Sequence, residues 1–575
     1  MVLIKANQEE AGALRDVLDL YENCSGQCIN IEKSALMFSQ NTPVQTKNEV
    51  KAALGINSEN WNERYLGLPV HVGRSRRKVF GYIKKNLCGR MHGWQERLLA
   101  KTSKETLIKA VGQAIPTFAM SCFDLTKGFC KELDTLMSKF WWSQQDKEVT
   151  MHWISWETLS KPKALGGLGF RNMHDFNIAM LSRQGWRLLQ NPDSLYARIL
   201  KARYFPHCTI LEAEPREGIS YSWRSILHGL ELVKQGYIWR IGDGTQVKIW
   251  SDPWIPRAWS RQVITPRGQN ILTHVSELIC PITGSWDVQL VHDSFWPDDA
   301  RHILQIPLRE GVSDFIAWHY DNKGHHSVRN AYKLQVQLGK VNSQGNTGSS
   351  TTIVGNLNET VDPSWKRIWK LPCPRKIQMF TWRLKHESLA FRTNLIRRGM
   401  KIESTKCLFC GCTDEDGAHL FIKCKSVKAV WRALGLEKER QDLEDIASVH
   451  AMLDYLWGLY EYKRVQILTM WWHWWNNRNK VREGELVVPS DELTRRMLSN
   501  TMEYLQIFSA KERKREQRKW HPPPAGTLKV NMDGGFRPGE GSVTWGVVVR
   551  DDTGALISAR AGKTEQVADL SKLKW

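Results

Sequence analysis

At 575 residues and 42% hydrophobic content, the chain has length for roughly three or four domains, each with a real core. Its net charge of +21 is the electrostatic footprint expected of a protein that meets phosphate backbones. No uncharged apolar run reaches the ~18 residues of a membrane span, and the N-terminus has neither the order of a signal peptide nor the amphipathicity of a transit peptide, which argues against a membrane-embedded or secreted protein.

The chain opens with an amphipathic helix at 8–24 (Ala11, Leu14, Val17, Leu18, Tyr21), stopped by Ser25-Gly26. Gln27 to Ser39 reads as a strand with Ile29 and Ile31 on one face, and a second helix runs from about Thr46 to Leu54, with Gly55 as its stop. Between Arg74 and Gln190 the pattern is mainly helical, with Trp, Leu and Phe at helical spacing and basic residues between them, as in a bundle. Around 220–330 it changes to hairpins. Ile238 to Trp250 alternates about Gly242-Asp243-Gly244, and Phe315 to Gly324 repeats the device before a short helix at about Val328–Leu338. Residues 341–361 carry one charged residue and little hydrophobicity, the composition of a flexible linker.

Next comes a zinc-type ligand pattern. Cys407 and Cys410 form a Cys-x2-Cys step, and His419 and Cys424 follow after short gaps. The step lets two thiolates face one metal from a tight loop, and Gly411 suits the left-handed backbone such a loop needs. His419 and Cys424 open an apolar segment (Leu420, Phe421, Val427, Val430, Trp431) expected to fold back as a helix and close a tetrahedron. Cys412 rivals Cys410, but the spacing favours the latter. Cys24, Cys28, Cys88, Cys122, Cys130, Cys208, Cys280 and Cys373 are scattered, which argues for reduced thiols and an intracellular setting, nucleus or cytoplasm.

Beyond this lies the run Met470-Trp-Trp-His-Trp-Trp475, whose four tryptophans suit either base stacking or a buried helix; the buried helix is the reading adopted. Lys511, Arg513, Lys514, Arg515, Arg518 and Lys519 form a basic run that reads equally as a phosphate-contacting arm or nuclear-import patch and as a solvated helix face. After Pro522-Pro523-Pro524, the segment Thr527 to Gly535 reads as a strand carrying Asp533, with two further strands at Val543–Arg550 and Ala555–Arg560 about a tight turn. A carboxylate delivered by a strand is what two-metal phosphodiester chemistry uses, but that chemistry needs several converging carboxylates. Only Glu540, Asp551, Asp552, Glu565 and Asp569 follow Asp533, and the Asp551-Asp552 turn lies at the wrong end of the strands.

Several of these segments resemble, in order, the carboxyl-terminal half of the polyprotein of plant LINE-type (non-LTR) retrotransposons. Ser25 to Asn30 with Lys33-Ser34 resembles the end of a reverse transcriptase palm. Tyr65 to Pro69, Gln113 to Pro116, Trp141-Trp142, Lys161 to Phe170 and Ser251 to Trp254 resemble the region beyond the catalytic core. Trp365 to Trp431 resembles the reverse-transcriptase zinc-binding domain, which implies ligand roles for Cys407, Cys410, His419 and Cys424. Thr527 to about Lys563 resembles the opening of a plant-type RNase H domain, which implies that Asp533 is its first catalytic aspartate. Two departures stand out. The Tyr/Phe-x-Asp-Asp turn of the polymerase is not matched, for neither Asp298-Asp299 nor Asp551-Asp552 has its setting, and Lys563 to Leu570 does not match the helix that follows the third strand in the nuclease.

The resemblance therefore implies a multidomain chain, mainly α with α+β parts. It comprises the end of a palm at 1–60, a thumb-like helical region at 61–220, a hairpin-rich connecting region at 221–340 and a linker at 341–361. A zinc-binding domain at 362–440, a helical, tryptophan-rich and then basic stretch at 441–520, and an incomplete RNase H-like sheet at 525–575 complete it. The expected function is binding of RNA, DNA or their hybrid without sequence preference, with structural Zn2+ and without polymerase activity. The alternatives are a hybrid ribonuclease in which Asp533, with Glu565 or Asp569, holds Mg2+, and a zinc-stapled protein-interaction scaffold.

Overall fold

The computed structural model describes residues 2–39, 41–59, 64–70, 72–73, 75–95, 99–143, 151–257, 260–308, 311–344, 362–446, 448–486, 488–511, 520–537 and 542–564. They fall into two compact units, Met1–Ser499 and Asn500–Trp575. The whole is mainly helical with small sheets.

The first helix, Gln8–Ser25, starts where Asn7 accepts from the Glu10 amide (2.8 Å) and ends at Gly26 in the left-handed region (φ 68°). It packs on the Val44–Leu54 helix around Ala11, Phe38, Val50 and Leu54. The strand expected at 27–39 does not form. In its place are a helical turn at Ile31–Lys33 and one isolated bridge from Leu36 to Glu59. Among the described residues no strand offers a ladder to those alternating isoleucines, and Ile31 stays exposed.

The helix Met173–Gln190 is the spine of the first unit, packing against Tyr221–Lys234 and Val328–Gln344. The crossing with Tyr221–Lys234 is so close that a Cβ on Gly229 would lie 2.4 Å from the Leu181 carbonyl carbon, so only glycine fits there. Buried Asn177 on the spine donates to the carbonyls of Met120 and Phe123 (both 2.9 Å) and accepts from the Leu125 amide (2.7 Å). A buried amide with its bonds made in this way fixes the preceding Thr117–Met120 turn to the spine.

The connecting region departs from two local hairpins. Tyr237–Arg240 pairs antiparallel with Phe315–Trp318, with Ile238 opposite Ala317. Both candidate strands alternate well enough to pair locally, but only the long-range pairing buries Ile238, Ala317 and Trp318 together. The Gly242-Asp243-Gly244 turn is held instead by buried Asp314, which accepts from the amides of Gly242 (2.7 Å), Gly244 (3.0 Å) and Gln246 (3.0 Å). Asp298 and Asp299 open the Pro297–Leu304 helix, and Asp299 is fully buried, bonded to Ile264, Thr265 and Arg257. The helix predicted to end at Leu338 continues to Gln344, so residues 341–344 are helical where a linker was expected, and 345–361 lie outside the described residues.

Residues 362–482 contribute the helices Pro363–Ile368, Arg375–Lys385, Arg392–Arg397, Lys425–Ala433 and Glu461–Arg482, among others. The Lys161 to Phe170 loop docks on them. The Trp382 indole donates to the Gly166 carbonyl (2.8 Å), and a Cβ on Gly166 (φ 84°) would meet the Trp365 ring at 2.9 Å.

The second unit contains an antiparallel sheet of Lys529–Arg537, Ser542–Arg550 and Leu556–Thr564 in that order. Lys529 pairs with Arg550 and Asp533 with Gly546.

Candidate metal centre

Around the Cys-x2-Cys step the backbone makes a narrow loop. The Cys407 amide donates to the Thr413 carbonyl (2.8 Å), the Glu415 amide to the Thr405 carbonyl (2.8 Å), and Lys406 bridges Asp414. Within it, the Gly411 amide donates to the Cys407 carbonyl (2.9 Å) at φ 67°, a turn that favours glycine. The chain then enters a wide helical turn, His419–Lys423, in which the Cys424 amide reaches back to the His419 carbonyl (2.8 Å). Such π-type turns recur where a helix must aim a side chain at a site. Cys424 leads directly into the Lys425–Ala433 helix, and Asp416 accepts from the His419 amide (2.6 Å).

The result is convergence. The ligand atoms of Cys407, Cys410, His419 and Cys424 all lie within 4.8 Å of one another. Cys407 Sγ is 4.0 Å from Cys424 Sγ, and Cys410 Sγ is 3.3 Å from His419 Nε2. A tetrahedral zinc with Zn–S bonds of ~2.3 Å sets sulfurs about 3.8 Å apart, so both the donor set and its size fit zinc. Cys412 is excluded by geometry: it is exposed and its thiol donates to the Cys410 carbonyl (3.0 Å). Cys407 and Cys424 shift in opposite directions. The hydrogen bond from Cys407 brings Cys424 down to about 7, while that bond and burial push Cys407 up. One of the pair is thus poised to be the thiolate that a metal requires.

The cluster is built into a core. Phe409 lies 4.4 Å from Trp474, Phe421 lies 5.4 Å from Trp471, and Phe391 lies 5.3 Å from Trp475. The tryptophan run is therefore the buried face of Glu461–Arg482 that closes over the loop, with Trp471, Trp474 and Trp475 all buried. Beside it, fully buried Glu415 and Arg478 form a two-pronged ion pair, one prong of which is 3.0 Å. Glu415 also accepts from the Arg392 amide (3.2 Å), and its carbonyl accepts from Thr393 Oγ1 (2.9 Å). One carboxylate thus ties together the metal loop, the Arg392–Arg397 helix and the tryptophan helix. Sequence reading missed this pair, since nothing in 63 residues of separation links the two.

Among the described residues, the other carboxylates singled out in the sequence are not gathered. Asp533 is exposed on its strand. In register, Asp551 follows Arg550, the partner of Lys529, which puts it roughly 16 Å along the sheet at about 3.3 Å per residue. Asp551 accepts from Thr553 and Ala555 within its own turn, and Asp552 accepts from the Gly526 amide. Glu540, Glu565 and Asp569 lie outside the described residues, as do Arg513, Lys514, Arg515, Arg518 and Lys519; Lys511 is the last residue of the Ser490–Lys511 helix.

Residues 349–431 match the family described as zinc-binding in reverse transcriptase. Over 511 residues the chain is 26% identical to an Arabidopsis thaliana protein that carries the name of a ribonuclease H protein, covering 85% of this chain and 78% of the relative. It is 45% identical over 143 residues to an uncharacterized mitochondrial protein of Arabidopsis thaliana, covering 25% of this chain and 93% of the relative. Among the described residues no helix is long and apolar enough to cross a membrane.

Proposed function

Because the chain belongs to the plant retrotransposon-derived proteins with a reverse-transcriptase zinc-binding part and an RNase H-like part, we propose that it binds RNA or RNA–DNA hybrid without sequence preference and carries zinc as a structural ion. The observation that carries this reading is the closed Cys3His donor set inside the matched zinc-binding region. Four protein ligands leave zinc no open position, so the ion supplies folding free energy and not a bound hydroxide. Cys407, Cys410, His419 and Cys424 would hold it, and Glu415 and Asp416 set the loop and the His419 turn. The net charge of +21 supplies the long-range attraction that draws polyanions to the surface.

Binding of this kind weakens with salt, because each neutralised phosphate releases counterions; the slope is about −0.7 per phosphate for single strands and −0.9 for duplex DNA. Titration of the full chain with oligo-U, oligo-dT and an RNA–DNA hybrid at several salt concentrations tests the reading. An affinity that does not change between low and high salt would overturn it. A second reading, hybrid cleavage at a magnesium site that includes Asp533, is favoured by the name of the relative. Comparing the wild type with Asp533→Asn in a hybrid-cleavage assay decides it, since equal rates remove Asp533 from the chemistry.

A further inference from the structure

Away from the metal centre, an open cleft of about 540 Å³ lies between the Thr117–Met120 turn and the spine helix. Met180, Arg183, Gln184 and Arg187 line it from the spine, one helical face at the spacing i, i+3, i+4, i+7. Phe118 lines the other side and is 54% exposed, a large aromatic left in water beside two exposed arginines. The four-residue step sets Arg183 and Arg187 about 6 Å apart along the axis, close to the step between neighbouring phosphates in an extended strand. Among the described residues that line it there is no carboxylate. Around its edge, the Arg187 guanidinium lies 6.0 Å from the Tyr196 ring, and Gly67 abuts Phe118.

Two hydroxyls refine the partner. Thr117 Oγ1 donates to the Ala114 carbonyl and Ser121 Oγ to the Phe118 carbonyl, both at 2.7 Å. With their protons directed this way, each presents acceptor lone pairs to the cleft. Acceptors beside arginines suit a strand whose sugars bring donors, as the ribose 2′-hydroxyl does. The geometry is also fixed in advance, because Asn177 holds the 120–125 segment to the same helix that carries the arginines.

We propose that this cleft binds single-stranded RNA, one unpaired base lying on Phe118 while the flanking phosphates sit on Arg183 and Arg187. The proposal rests on the nucleic-acid reading above and gives it a place. Base faces are free only in unpaired strands, and stacking on one aromatic ring combined with arginine at the backbone is how such strands are held without sequence preference.

The test is fluorescence anisotropy of the full chain with labelled oligo-U, oligo-dT and a blunt duplex, comparing wild type, Phe118→Ala and the double variant Arg183→Gln/Arg187→Gln. All three side chains are exposed, and zinc content and thermal melting check that each variant folds. Phe118→Ala is expected to weaken oligo-U roughly 5- to 100-fold and leave the duplex unchanged. The arginine double variant is expected to reduce the salt slope for oligo-U by about 1.4, two phosphates at ~0.7 each. Wild type that binds oligo-U while every variant binds as well as it does would overturn the cleft and spare the broader reading. Wild type that binds none of these probes, nor an RNA–DNA hybrid, would overturn both. Equal affinity for oligo-dT, or competition by polyglutamate as effective as that by oligo-U, would overturn the assignment to RNA.

Discussion

The metal loop and the C-terminal sheet each begin from a recognisable sequence pattern, yet the protein treats them differently. At the metal loop, Cys407, His419 and Cys424 are buried, the loop is bonded to two helices through Glu415, and three tryptophans cover it. In the sheet, Asp533 is exposed, and Val530, Met532, Leu556 and Ile557 are also more than half exposed. The lesson is about support. A constellation holds its geometry when neighbouring elements lock each of its members, and among the described residues no group of three or more metal-ligating side chains gathers at Asp533.

The sharpest break of this contrast is loss of zinc. Stripping the ion with a chelator, or substituting Cys424→Ala, should unfold the loop at a cost on the order of 10 kcal/mol. The readouts are the loss of one zinc per chain and a change in tryptophan emission as Trp471, Trp474 and Trp475 gain water. Retention of zinc by the variant would remove Cys424 from the ligand set.

Next in size is Arg478→Leu, which leaves Glu415 charged and buried and should destabilise the first unit by about 3–5 kcal/mol. Adding Glu415→Leu should recover part of that loss, and denaturant melts of single and double variants measure both. A single variant as stable as wild type would mean that the pair does not bind the elements together.

A smaller effect depends on pH. Burial, with Lys376 and Arg496 nearby, lowers His473 on the tryptophan helix from 6.5 to about 4. The folded state therefore prefers the neutral ring. Its contribution is whole above pH ~6.5 and is lost as the pH falls from there towards ~4. His473→Phe should flatten that part of the stability-against-pH curve, and an unchanged curve would assign acid sensitivity elsewhere.

The contact between Phe409 and Trp474 should show a coupling of about 0.5–1.5 kcal/mol in a double-mutant cycle.

Local chemistry was legible in the sequence. The four candidate ligands fall within 18 residues, so a glycine turn and a returning helix suffice to gather them, and spacing alone favoured Cys410 over Cys412. Helix starts and stops such as Asn7 and Gly26 were equally local. The buried reading of the tryptophan run was also available, because tryptophans on several faces of one helix need a core.

What the sequence could not decide depended on partners far along the chain. Alternation in Ile238 to Trp250 fits a local hairpin as well as it fits pairing with Phe315–Trp318, and only the shared burial of Ile238 with Ala317 chooses. Gln27 to Ser39 alternates too, but among the described residues no strand lies beside it to complete a ladder. Glu415 and Arg478 carry no mark of each other until the fold buries both, and burial is what turns two ordinary charges into an obligatory pair. Phe118 and Arg183 are likewise unrelated in sequence and become a surface only where Asn177 holds their segments together. Short-range spacing singled out the candidate ligands; long-range packing decided what holds them.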